Sequence, residues 1–231
     1  MSTTNQFHPD LLRPVEHVFE PHPRNLDFAK LDPETGEFVP KDIPDQHEAV
    51  SGYNLHAKVP EDIVAQFETA KNLYLYAWFV YGFYPLCEQH ALACLELTLR
   101  KRYEHEVPKE YRKRDGRLYL KGLLRYAIDR GHVKHEGFRR WHERAHVRAS
   151  VRYENEKREE MYAKGLKKID LDYTEVTVTG ADCNWKYLDN LLDYLPELRN
   201  HYAHGTSMLH NQVLTTLEVV SEIINQIYPA K

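Results

Sequence analysis

Cysteine is scarce in this chain, and what there is does not pair. Cys87, Cys94 and Cys183 are the only three in 231 residues. An odd number without paired spacing gives no disulfide framework and no cysteine-based zinc site. Two of the three fall in an apolar run with helical period, so buried free thiols in a reducing compartment are expected. Long hydrophobic runs are also missing. The longest, residues 73 to 87, carries four tyrosines and a proline and falls short of the roughly 18 residues that suggest a membrane span. The first residues, MSTTNQFHPDLLRP, lack the basic and apolar stretch of a signal peptide. A soluble, cytoplasmic protein is the expectation.

What is present suffices for a real core. Hydrophobic residues make up 42% of the chain, enough for one good-sized domain or one domain with an arm. The net charge of -4 hides an asymmetry: residues 100 to 168 hold 22 Lys and Arg against 11 Asp and Glu, so the remainder is strongly acidic. A basic middle can attract a phosphate backbone, but its positives are interleaved with glutamates, as on an ordinary solvated helix face.

Residues 1–59 are rich in proline and poor in helical period, and read as an N-terminal arm. Within it, FAKLDPETGEFVP (28–40) sets turn residues between short alternations, which predicts a hairpin and little else before Pro60. Helical structure then dominates residues 60–231. Ile63, Phe67, Ala70, Tyr74, Ala77 and Tyr81 repeat at fours and threes after Pro60, with Trp78, Phe79 and Val80 making that end apolar on most sides, so this helix is expected to be central or in a subunit interface. A second helix runs from Pro85 to about Tyr103, with Leu92, Leu95 and Leu99 as its stripe and Glu96 one turn before Arg100. A basic loop over 107–117, containing Arg112, Lys113 and Arg114, precedes a third helix over 118–130.

Residues 132–180 read as a basic insertion. It contains a long exposed helix over 138–165, carrying Arg139, Arg140, Arg144 and Arg148, with Trp141, Val147, Val151 and Met161 touching the domain; a second short hairpin is expected over 166–180. The string His142-Glu143-Arg144-Ala145-His146 spells the zinc-protease pattern of two metal-binding histidines one turn apart. Four arginines crowd it and a third ligand at the usual spacing is missing, so no metal site is assigned and a metalloprotease is the remote alternative.

The chain is organised around residues 184 to 205, NWKYLDNLLDYLPELRNHYAHG. Trp185, Leu188, Leu191, Leu192, Leu195 and Leu198 have the period of a helix with one buried face, and Pro196 predicts a kink or a restart. After it come Arg199, Asn200, His204 and Gly205, the last a left-handed cap. At about 100° per residue, Asn200 and His204 lie roughly 40° apart on one face, whereas Arg199 diverges from His204 by about 140°. A carboxamide beside an imidazole fixes its tautomer, and a guanidinium holds a phosphate with two hydrogen bonds. The same side chains at a helix end also serve to satisfy carbonyls and complement the dipole. A last seam over 207–228, from Leu209 through Val213, Leu217, Val220, Ile224 and Ile227, packs on this helix or its symmetry mate.

Leu198-Arg199-Asn200-x-x-x-His204-Gly205 at the end of an apolar helix resembles the Arg-x4-6-His signature of the HEPN superfamily. The resemblance extends to ALACLELTLRKR (91–102) and LKGLLRYAIDRG (120–131) and covers roughly 60–228, with 132–180 as an insertion. It implies an all-α helical bundle, here with two minor β-hairpins, that dimerises so that two motifs face each other. Many members of the family are metal-independent endoribonucleases of toxin-antitoxin or antiviral systems; others only bind nucleotides or RNA, or act as protein-interaction modules. Arg199, Asn200 and His204 would be catalytic and need no cofactor, with Glu88, Glu96 and Arg100 as polar residues near the cleft. The expected partners are single-stranded or looped RNA, a second copy of the chain, and an antitoxin or other defence-system protein. Arg112, Lys113, Arg114, Arg139, Arg140, Arg144 and Arg148 would attract the RNA. The subgroup with nucleotidyltransferase antitoxins tends to carry a tyrosine two residues after the histidine, where this chain has Thr206, so its mode of control is not carried over.

Overall fold

The hairpin in the arm forms where turn chemistry demands it. In the computed structural model, which describes residues 8–204 and 209–230, strands β1 (Ala29–Leu31) and β2 (Phe38–Pro40) pair antiparallel, with Lys30 opposite Val39. The Asp32 side chain accepts from the amide of Glu34 at 2.9 Å, and Gly36 takes a φ of 72° that other residues rarely adopt. The arm holds more than the expected hairpin. A helix, α1 (Ile43–Ser51), follows it, started by a capping box in which Asp42 and Asp45 each accept from the other's backbone amide. Short, with few apolar positions, α1 shows its start in the sequence but no periodic stripe.

Beyond the arm the described residues are mostly helical: α2 (Glu61–Tyr76), α3 (Phe83–Tyr103), α4 (Leu120–Asp129), α5 (Arg139–Ala163), α6 (Tyr187–Ala203) and α7 (Leu214–Ile227). The central helix is α3; α2, expected to be central or in a subunit interface, packs along it. Leu92, Leu95, Leu99 and Tyr103 are fully enclosed, and α3 packs against α2, α4, α6 and α7. One polar side chain and one backbone amide fasten the arm to the end of α2. Asn25, fully buried, donates to the carbonyls of Ala77 and Trp78 at 2.9 Å each, and the His22 amide donates to Trp78 as well. Carbonyls at a helix end thus find donors across the chain.

Three expectations are corrected by this architecture. No strand forms among residues 166–180; only a single 3-10 turn, Tyr173–Glu175, occurs there. Side chains of α5 hold this segment instead. The Asp172 amide donates to the Tyr153 hydroxyl at 3.1 Å, and Arg152 binds the Thr177 carbonyl and the Asp182 carboxylate. With backbone groups satisfied that way and Leu171, Tyr173 and Val178 facing solvent, no partner strand is required. Second, α5 buries Trp141, Ala145, Ala149 and Tyr153, a stripe with a period of four, whereas Val147 and Val151 are half exposed. Third, the last helix begins at Leu214 with its seam at Val213, and Leu209 lies exposed ahead of it. Among the described residues no helix is long and apolar enough to cross a membrane. Cys87, Cys94 and Cys183 are free, the first two buried, and burial raises the Cys94 thiol to about 12.

Candidate functional site

Helix α6 runs unbroken through Pro196 rather than restarting there. Packing explains its survival despite the missing amide: Leu191, Leu195, Leu198 and Tyr202 are buried against the bundle, and Pro196 is itself enclosed. The opposite side of α6 is polar and open. With Lys121 of α4, residues Asp193, Pro196, Glu197, Asn200, His201 and His204 line a groove of about 670 Å³. Asn200 and His204 share that surface as their spacing of four dictates. A salt bridge of 2.7 Å between Lys121 and Asp193 closes one side.

Arg199 lies on the flank facing α3. Its Nε donates to Oε2 of Glu96 at 3.0 Å, while Oε1 of the same carboxylate accepts from Arg100 Nη2 at 2.8 Å. Among the described residues, no acceptor binds the two terminal nitrogens of Arg199, and its side chain is 37% exposed. Arg100 is spent: besides Glu96 it bonds to Glu104 and to the Leu118 carbonyl. The three motif residues thus occupy two adjoining faces of one turn, with guanidinium and imidazole not joined by any hydrogen bond.

Glu88 does not reach the groove. It is 1% exposed and its carboxylate accepts from the hydroxyls of Tyr202 and Thr216, with His210 Nε2 3.4 Å away. Burial and the adjacent Glu88 carboxylate push the Tyr202 phenol far above its ordinary range, so it stays a neutral donor. Gly205 and Thr206 lie outside the described residues. Sequence reasoning missed His201, a second imidazole on the groove, because it sits at a variable position of the motif. Three residues from His204, it is about 60° away around the helix, and this spacing was legible.

The basic residues divide into two groups. Arg139 and Arg140 are occupied in holding α5 to α7: both bind the carboxylate of Glu218, a residue 2% exposed, with Arg140 Nε at 2.8 Å. Arg112 bonds to the Glu104 carbonyl at 3.1 Å, and Lys113 lies over the Tyr119 ring. Arg114 is exposed. Arg144, set over Trp185, and Arg148, donating to the Asn184 carbonyl, line an outward groove of about 700 Å³ with Val147 and Val151. In the zinc-protease string, His142 Nε2 is hydrogen-bonded to the Glu136 carbonyl at 2.9 Å and Glu143 is paired with Arg139. No group of three or more His, Cys, Asp or Glu side chains among the described residues could hold a metal ion.

Comparison of the chain with protein-family models, with curated proteins and with solved structures finds no match. The functional reading therefore rests on the site's own geometry and on the motif it carries.

Proposed function

We propose that this chain is a metal-independent endoribonuclease of HEPN type, acting on single-stranded or looped RNA as a symmetric dimer. The observation that carries the reading is that His204 and Asn200 share the outward groove of α6, while Arg199, on the flank toward α3, has terminal nitrogens with no acceptor among the described residues. His204 takes the proton of a ribose 2'-hydroxyl, whose oxygen attacks the neighbouring phosphorus. The bond to the 5'-oxygen breaks, and that oxygen leaves with a proton, giving a 2',3'-cyclic phosphate and a 5'-hydroxyl. Arg199 holds the phosphate oxygens as charge builds on them. Asn200 orients the imidazole. His201, on the same groove, supplies the second proton-transfer group that such a sequence needs.

An apolar face beside the motif supports the dimer. Leu86, Ala93 and Leu97 are exposed along one side of α3, which the spacing of seven and four puts in line, and Tyr194 of α6 is half exposed. Joining two copies there would hide this face and bring two Arg199–His204 turns together. The outward arginines of α5, Arg144 and Arg148, and the exposed Arg114 give the RNA a basic approach.

The test is incubation of the purified chain with labelled RNA in excess EDTA, alongside the same sequence in 2'-deoxy form. The expected result is cleavage of RNA only, ending in cyclic phosphate and abolished in His204→Ala. Binding without cleavage would move the assignment to a non-catalytic RNA-binding module. Activity lost on chelation and in Glu143→Gln would move it to the metal reading.

A further inference from the structure

A buried carboxylate beneath the candidate site brings together four segments of the chain. Glu88 of α3 is 1% exposed. One oxygen accepts from the Thr216 hydroxyl of α7; the other accepts from the Tyr202 hydroxyl of α6 and lies 3.4 Å from Nε2 of His210, which precedes α7. His210 Nε2 is also 3.3 Å from the Tyr202 oxygen. Among the described residues, His210 is the one basic side chain within ion-pair distance of this carboxylate.

The protons in this cluster can be counted. Tyr202 has a single hydroxyl proton and gives it to Glu88, so its oxygen can only accept. Glu88, as a carboxylate accepting from two hydroxyls, likewise has no hydrogen to give. Facing two acceptors, Nε2 of His210 has to carry a hydrogen, shared between them. A bare Nε2 would set three lone pairs against one another beside a buried carboxylate.

We propose that His210, held by Glu88, is a positioning residue for the candidate site, fixing through Tyr202 the helical turn that carries Arg199, Asn200 and His204. Tyr202 is three residues after Arg199 and two before His204, in the last turn of α6, where the carbonyls have no helical partners and a helix frays most readily. Anchoring it sets the rotation of that turn, so that the groove-lining side chains point outward while Arg199 meets Glu96. His210 lies outside the family-like motif, and its role rests on the nuclease reading only for the activity arm of the test.

Three measurements decide it. In long-range 15N NMR of the wild-type chain, the His210 ring should have its Nε2 protonated, as neutral Nε2–H tautomer or as imidazolium. Backbone hydrogen exchange over 199–204 should speed up at least tenfold in Tyr202→Phe, which keeps the packed ring, and in His210→Ala. In His210→Gln, whose amide restores a donor near the Nε2 position, exchange should return to within twofold of wild type. RNA cleavage should follow the same order, with kcat falling at least tenfold in the first two variants, KM little changed, and recovery in the third. A bare Nε2 with the hydrogen on Nδ1 would overturn the proposal, and so would unchanged exchange in both Tyr202→Phe and His210→Ala, or no rescue by glutamine. A wild-type chain that cleaves no RNA, yet gives the stated tautomer and exchange pattern, would leave the positioning role intact and remove the nuclease reading. Should a variant fail to fold, the tautomer of the wild-type ring still decides.

Discussion

Arg199 and Glu96 meet across the seam between α6 and α3, the guanidinium Nε 3.0 Å from a carboxylate oxygen whose fellow oxygen binds Arg100. One largely buried carboxylate serves two cations, the second of which is also paired with Glu104. The arrangement anchors Arg199 by a single nitrogen and leaves its terminal pair without an acceptor among the described residues, open to bidentate contact with a phosphate.

Glu96→Ala should therefore reduce turnover more than binding. Without its anchor Arg199 samples other rotamers, and misplacement of a positioning group by about 1 Å can cost about 100-fold. The expected outcome is a fall in kcat of about 10- to 100-fold with KM changed far less, read in single-turnover cleavage of a short RNA. Equal effects on both constants would detach Glu96 from the site.

Replacing the motif residues themselves should produce graded losses. Arg199→Lys keeps the charge but loses the planar fork, and removing one preorganised donor to a developing anion costs about 100- to 1,000-fold in kcat. His204→Ala removes a proton-transfer group, a loss of about 100- to 10,000-fold. His201→Ala tests whether one chain holds both imidazoles. If both groups act, His201→Ala should cost as much in single-turnover rate as His204→Ala; an unchanged rate in His201→Ala would place the second proton-transfer group elsewhere.

The arginines of α5 should separate into two phenotypes. Glu218 is almost wholly enclosed between Arg139 and Arg140, so Glu218→Ala removes the carboxylate the two cations share and leaves Arg139 with Glu143 and Arg140 with the Thr215 hydroxyl. Breaking such a pair costs about 3 to 5 kcal/mol when fully buried, and about 2 kcal/mol is expected here because both guanidiniums are half in solvent. Thermal melting reads this loss. By contrast, Arg144→Gln and Arg148→Gln should each lower the slope of log binding constant against log salt by about 1 for RNA while moving the melting point little.

How much of this was legible follows from the kind of signal each element carries. Helices α2, α3 and α6 show an apolar stripe because each buries one face, and the periodicity read from Phe67, Leu95 and Leu195 placed them to within a few residues. Helix α1 escaped notice because its stability comes from the Asp42–Asp45 capping box and contact with α2, which leave no stripe. Alternation over 166–180 suggested a strand, yet pattern cannot foresee that Arg152 and Tyr153 would take up the backbone groups that a partner strand would have used. At the site, helical geometry put Asn200 and His204 on one face and Arg199 off it. What spacing could not supply was the tertiary partner, so Glu88 and Glu96, expected near a cleft, proved to be anchors beneath the motif turn.

Stability should also depend on pH through Glu222. Burial raises this carboxyl from 4.5 to about 7, although its Oε1 accepts from the Arg139 amide at 2.8 Å, and its Oε2 is enclosed with no hydrogen-bond partner. The sign follows from proton counting. Below about pH 4.5 folded and unfolded chains both hold the proton, and the group does not penalise folding. Between about 4.5 and 7 the unfolded chain has released a proton that the native state keeps, so stability falls as pH rises, and above about 7 the whole penalty of a half-buried carboxylate is present. Glu222→Gln, an uncharged mimic of the protonated acid, should raise the melting temperature at pH 8 by the equivalent of about 1 kcal/mol after allowing for solvent screening, and leave it nearly unchanged at pH 4. Equal shifts at both values would show that the carboxylate charge carries no cost in this fold.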